Sequence, residues 1–434
     1  MKLEMATFPV GDVKFSGQTR YSDAVLEINK EELVTLILED RRVASADLDV
    51  AFPGEQTRIV NVRDVVEPRV KVSGPGCIFP GILGPVETVG EGRTHRLSGV
   101  TVIASADYIP TILSGTAAQN SSILDMWGPA AEVTPFGSTI NIVLVFRLTE
   151  GVTELEAHAA IQSAEFRVAH RLAETVIHLN PDNLEVFELF EVDPSLPRVV
   201  YIDSFLTNWQ APHSLVAYYG LSIRESLPTF VHPNEFFDGA LTCDARIGSA
   251  EYTYTWGWIN PPVVLRLLRE HGKRLNFLGV ILQRTRFEAE HGKQVTAACT
   301  AQMASQLKAD GAIITRTVPS GANFVDVMLT VQACEKKGVK TVLLTPEWGG
   351  KDGTELPLVF YVPEATAMVN TGSTDREYKL AAPAKIIGVD EGGLVRLYSG
   401  DRPFSPWNEI TVDGHGPTGT CDWWGEGYYT RIGY

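Results

Sequence analysis

Cysteine is scarce in this chain. Five occur in 434 residues, Cys77, Cys243, Cys299, Cys334 and Cys421. They are odd in number, far apart and never in CxxC spacing, which argues against both a disulfide framework and a structural zinc. Cys299 and Cys334 lie in helix-like runs and read as buried, inert thiols. An excess of basic charge is also missing. Lys and Arg total 37 against 53 Asp and Glu, for a net charge of −16. Nucleic acids and anionic membrane surfaces recruit basic patches, so neither is an expected partner. No apolar run reaches the roughly 18–20 residues that span a bilayer. The opening "MKLEMATFPVGDVKF" lacks the apolar stretch of a secretory signal, so a cytoplasmic location is the expectation. The loops "PSGANFVD" and "PEWGGKDG" are neither a Walker A nor a GxGxxG fingerprint, so a nucleotide site is not supported.

What is present is an ordinary globular composition, 44% hydrophobic and 21% charged, on a chain long enough for two or three cores. Residues 1–150 read as a strand-rich domain. Runs such as "TRIVNVRDVV", "GVTVIAS" and "STINIVLVF" are broken by one helix in "NKEELVTLILED". The Gly/Pro-rich "GPGCIFPGILGPVETVGEG" is either a binding loop or a structural crossover. Residues 151–242 form an α/β segment, with a long helical period in "VTELEAHAAIQSAEFRVAHRLAETV" and a buried strand in "PRVVYIDSFL". Residues 243–390 alternate apolar strands with amphipathic helices, one of them over about 293–308. That rhythm predicts a parallel sheet covered on both faces. The fold class expected is α/β, with a mixed α+β N-terminal half and a Rossmann-like parallel C-terminal half. Residues 391–434 form a Gly- and aromatic-rich tail that reads as a docking strap.

In such a sheet, ligands gather at the C-terminal edge. Two loops fall there, "PSGANFVD" with Asn323 and "PEWGGKDG" with Glu347, Lys351 and Asp352. Gln210 and His213 follow the "VVYIDSFL" strand, with Tyr218 and Tyr219 close by. These are candidate substrate contacts. The plainer alternatives stay open: capped turns for the loops, and a hydrogen-bonded structural role for His213 and for His95. His158, His170, His178 and His271 show no ligand pairing, and no metal site is expected.

One further stretch, "DGALTCDAR", sets Thr242 and Cys243 side by side in what reads as a polar turn. A thiol so placed can attack the Thr242 carbonyl and form a thioester. Elimination across Cα–Cβ of Cys243, tautomerisation and hydrolysis then leave a pyruvoyl group capping a new chain. That is an electrophilic ketone no encoded side chain provides. Chance adjacency is the competing reading.

A set of longer stretches bears on this choice: "NKEELVTLILEDRRVAS", "RDVVEPRVKV", "IFPGI", "VGEGRTHRLSG", "DMWGPAAEVTPF", "PTFVHPNEFFDGA", "EHGKRLNFLGVI", "KKGVKTVLLT" and "GKDGTELPLV". Over roughly residues 1–390 the chain resembles the proprotein subunit of component B of the glycine, sarcosine and betaine reductases, related to the D-proline reductase proprotein. The resemblance implies a single internal cut before Cys243 and a pyruvoyl group that binds a small amine or amino-acid-like substrate as an imine. It also implies a hetero-oligomer, in which a partner subunit bearing a reactive Cys or selenocysteine attacks the α-carbon. If the chain is not cut, no cofactor is implied. On this reading Cys243 and Thr242 carry the cleavage, and His213 is the candidate proton carrier because its ordinary pKa of about 6.5 suits the task. Gln210, Asn323, Glu347 and Asp352 line the substrate site. The chain departs from the family pattern at Thr242, where the glycine enzymes have Asn, and at "TWGWIN", where histidines are expected. The tail after about residue 390 looks like an extension beyond the shared region. Two other readings stand beside this one: an uncut relative using Cys243 as a thiol nucleophile or metal ligand, and a scaffold that recruits the partner.

Overall fold

The computed structural model describes residues 1–106, 122–207, 215–244, 253–286, 289–317, 321–347, 360–373, 376–388, 404–414, 416–425 and 432–433. Its N-terminal half holds two larger sheets and a small one of Asp12–Phe15, Val25–Ile28 and Arg20–Ser22. Strands Asn183–Glu188, Lys2–Pro9, Gly92–Ser98 and Arg69–Ser73 lie side by side in that order. The second sheet runs Ser122–Asp125, Thr57–Val66, Val100–Ala106, Ile140–Leu148 and Val43–Ala51. Lys385–Ile387 joins it beside Thr57–Val66. Val100–Ala106 is buried at every position, as a central strand covered on both faces should be.

Helix Glu154–Ala173 packs on these sheets through Ala157, Ala160, Ile161, Ala164 and Ala169. The small side chains let its backbone come close. It starts at a capping box, with Glu156 N–H donating to Thr153 Oγ1 and Thr153 N–H donating to the Glu156 carboxylate. The Gly/Pro-rich segment after Ser73 is a structural crossover at its centre. Phe79 is fully buried, stacks on Phe166 at 4.1 Å and donates its N–H to Asp238 O.

The C-terminal half is built on a seven-stranded sheet, ordered Thr229–Val231, Asn276–Arg286, Arg198–Thr207, Gly311–Arg316, Lys340–Glu347, Met368–Ser373 and Ile432–Gly433. The five inner strands are parallel. Both edge strands run antiparallel, so the sheet is mixed rather than the all-parallel, Rossmann-like sheet expected. The α/β class stands. Edge strands of two or three residues are too short to leave a period in the sequence, so nothing local signals their antiparallel direction. Helix Pro262–Glu270 covers one face, and helices Glu290–Gln306 and Gly321–Lys336 cover the other. The helix expected to start near 293 begins at Glu290, one turn earlier.

The tail docks on its own chain. Strand Ile410–Asp413 pairs with Glu377–Leu380, and Arg58 of the N-terminal half donates to Pro406 O and Asn408 O. Among the described residues, no helix is long and apolar enough to cross a membrane.

Candidate functional site at residue 243

"DGALTC" looks polar, yet the structure buries every one of its residues at the junction between the halves. Asp238 is buried and accepts from Gly90 N–H at 2.8 Å, Thr94 Oγ1 at 2.5 Å and Lys71 Nζ. Gly239 takes a left-handed turn (φ +77°), and a Cβ there would strike the Phe79 ring at 2.3 Å. The turn delivers Leu241–Cys243 as a short strand, with all three residues buried. The expected polar turn is therefore a buried strand. The polar groups before it are satisfied internally, so composition misreads their exposure.

That strand pairs antiparallel with Val216–Tyr218, setting Thr242 opposite Ala217 and Cys243 opposite Val216. Ladder bonds flank the pair: Tyr219 N–H to Ala240 O at 2.8 Å and Asp244 N–H to Leu215 O at 3.1 Å. Antiparallel alternation then turns the Thr242 carbonyl toward the partner strand and the Cys243 N–H away from it. The Cys243 N–H donates instead to Thr255 Oγ1 at 3.1 Å. The Thr255 hydroxyl in turn donates to Asp64 Oδ2 at 2.5 Å. Asp64 Oδ1 accepts from Thr255 N–H at 2.8 Å and Val65 N–H at 2.9 Å. Asp64 and Thr255 are both fully buried.

Helix Thr255–Ile259 straddles the halves. Trp256 and the preceding Tyr254 meet Phe136 edge-on at 5.5 and 5.8 Å, in the N-terminal half. Trp258 points the other way, into the cluster of Cys243, Leu241, Tyr201 and Phe205. Its ring meets Phe205 at 6.3 Å and Trp424 of the tail at 6.1 Å. On the far side, His158 Nδ1 lies 3.1 Å from Asp244 O. Thr242 Oγ1, Thr253 Oγ1 and Trp258 Nε1 are buried without a hydrogen-bond partner among the described residues. Orphaned polar atoms are costly in a core, and here they cluster in sequence around residue 243.

Asp203 lies mid-strand in Arg198–Thr207, between Tyr201 and Phe205 on the face turned to that cluster. Burial pushes its carboxyl up to about 7, against the pull of Thr315 and Tyr201, with Thr315 Oγ1 donating at 3.2 Å. A buried acid that titrates near neutrality can hold or release a proton there.

The other sequence candidates are placed as follows. Gln210, His213 and Asp352 lie outside the described residues. Glu347 ends strand Lys340–Glu347, and its side chain also lies outside them. Asn323 accepts from Arg316 Nη1 at 3.0 Å, beyond the C-terminal end of Gly311–Arg316. Tyr218 and Tyr219 both donate to Glu235 Oε2, at 2.7 and 2.8 Å, and burial raises both phenols. His95 Nδ1 lies 2.8 Å from Val176 O, a structural contact. Cys334 sits in its expected helix, its thiol pushed up to about 12 by burial. Among the described residues, no group of three or more His, Cys, Asp or Glu is placed to hold a metal ion.

Sequence reading missed Asp64, Thr255, Asp203 and Trp258. A signal existed for two of them, since "NVRDVV" and "VYIDSF" each carry an acid inside an apolar strand. Thr255 lies in "TWGWIN", which attracted notice only for its lack of histidine.

A family model described as glycine/sarcosine/betaine reductase component B subunits matches residues 1–403. The chain belongs to that family. Among component B relatives, the glycine reductase complex component B subunits alpha and beta of Acetoanaerobium sticklandii are 34% identical, over 92% of each chain. The sarcosine reductase complex component B subunit alpha of Peptoclostridium acidaminophilum is 32% identical, over 90% of each. The glycine reductase counterpart from that organism is also 32% identical and aligns over 100% of both chains. The tail, expected to fall beyond the shared region, is therefore within that alignment. No solved structure matches.

Proposed function

We propose that this chain is a reductase-complex subunit that cleaves the C–N bond of a small amine or amino-acid-like substrate, and that it matures by cleavage between Thr242 and Cys243. Membership of the component B family supports the reductase role. The observation that carries the maturation reading is the holding of the 242–243 peptide. Its carbonyl is directed into one strand ladder while its N–H is bonded to a side chain of another element. A pyruvoyl group in place of Cys243 supplies an electrophilic ketone that takes up an amine.

The residues around it have definite tasks. Phe205, Trp258 and Trp424 exclude water and lower the local dielectric, which strengthens each polar contact. Trp258 Nε1 offers a donor to a substrate oxygen. Asp203 holds a proton at its carboxyl up to about pH 7. In the intact chain Cys243 is 2% exposed, so cleavage is also what frees residue 243 to meet a substrate. The chain contains no selenocysteine, and the attacking thiol or selenol comes from a partner subunit.

Denaturing mass spectrometry tests this reading. Purified protein should show two fragments meeting between 242 and 243, the smaller reacting with a carbonyl reagent, and Cys243→Ala should give one uncut chain. A full-length wild-type mass with a free thiol at 243 would sink the proposal.

A further inference from the structure

We infer that Asp64 and Thr255 form the acid–base pair that drives the first step of that cleavage, the transfer of the Thr242 acyl group from nitrogen to sulfur. This rests on the maturation reading above and assigns it residues.

In the acyl shift, Cys243 Sγ forms a bond to the Thr242 carbonyl carbon, and the bond from that carbon to the Cys243 nitrogen breaks. One proton leaves the thiol and one arrives at the nitrogen, so the step needs no co-reactant. The obstacle is the leaving group, because an amide nitrogen departs only as it gains its proton. A donor must therefore sit at that nitrogen. In the resting chain that nitrogen donates to Thr255 Oγ1 at 3.1 Å, which makes this hydroxyl the group placed to return a proton to it.

A threonine hydroxyl alone is too weak an acid to serve. Its hydrogen lies on Asp64 Oδ2 at 2.5 Å, so the relay runs when Asp64 is protonated and donates back to Oγ1, which frees the hydroxyl hydrogen to turn to the nitrogen. Asp64 is held in turn by two backbone N–H groups on its other oxygen, so its orientation does not depend on the hydroxyl. In the inferred relay the thiol's proton ends on Asp64, Asp64 donates to Thr255 Oγ1, and the Thr255 hydroxyl delivers its own hydrogen to the nitrogen as the C–N bond opens. The Thr242 carbonyl, directed at the neighbouring strand, has a backbone donor for the negative charge that forms on its oxygen.

Burial makes the arrangement hard to explain as stability alone. Asp64 has no exposure, and a carboxyl so buried is costly unless its hydrogen bonds are made. A threonine–valine or threonine–leucine contact would fill the same junction without it.

The test follows chain cleavage and not activity. Full-length chain is made by cell-free translation, and its mass is followed over time under denaturing conditions, with and without hydroxylamine to release any thioester. Circular dichroism monitors folding. Wild type and Thr255→Ser, which keeps the hydroxyl, should both cleave. Thr255→Val, which keeps the shape, and Asp64→Asn should cleave at least ~100-fold more slowly, the lower end of general acid–base effects. Both should also show little hydroxylamine-released fragment. Folded Thr255→Val cleaving at the wild-type rate, or folded Thr255→Ser failing to cleave, would overturn the inference while leaving the maturation reading intact. A wild-type chain that stays whole overturns both.

Discussion

Arg58 offers a quantitative test of how the tail is held. Its guanidinium uses all five N–H donors: two to Asp125 at 2.6 and 2.8 Å, and three to the carbonyls of Ala381, Pro406 and Asn408 at 2.7–3.0 Å. Arg58→Met keeps the aliphatic volume but strands one buried carboxyl and three carbonyls. Each orphaned group costs about 1–3 kcal/mol, but water and relaxation recover part of the sum, and broken buried pairs measure about 3–5 kcal/mol. That is a large share of a total stability of about 5–15 kcal/mol.

The pH dependence gives a sharper signature. Burial already raises the Asp125 carboxyl, and Arg58 is what lowers it. Without Arg58 it rises further, so the variant keeps this part of its stability below the unfolded value near 3.8 and loses it as pH climbs through the raised value. The penalty in urea unfolding should be largest near pH 8 and smallest near pH 4. Limited proteolysis should then cut the tail before the rest. A penalty under ~1 kcal/mol at pH 8, or one independent of pH, would refute the reasoning.

Asp203 predicts a second pH effect. Its carboxyl rises from 3.8 to about 7 on folding, so its contribution is fully present below about pH 4 and is lost as pH rises through 7. Asp203→Asn cannot ionise, and near pH 8 it should exceed wild type in stability by up to ~4 kcal/mol, converging near pH 4. Parallel pH profiles for the two proteins would count against a buried, titrating carboxyl. Assembly is the remaining expectation. Affinity capture from the native host should recover a separate subunit with a reactive Cys or selenocysteine, and substrate reduction by this chain alone would contradict it.

Much of the fold was legible because repeating side-chain patterns report burial. Continuous apolar runs marked the inner strands of the C-terminal sheet, and three-to-four spacing marked helix Glu154–Ala173, its start fixed by Thr153 and Glu156. Local chemistry marked Thr242-Cys243, since adjacency in the chain is all that an attack on the preceding carbonyl requires. The edge strands and the exposure of "DGALTC" were not legible, because pairing direction and burial depend on distant partners. Asp64 and Thr255 are 191 residues apart, and only the packing of helix Thr255–Ile259 between the two halves brings both to the Cys243 amide. The adjacency of Thr242 and Cys243 is thus a property of the sequence. The hydrogen bonds that tie Cys243 N–H to Thr255 and Thr255 to Asp64 belong to the tertiary structure, because no local pattern can encode a hydrogen bond between elements that far apart.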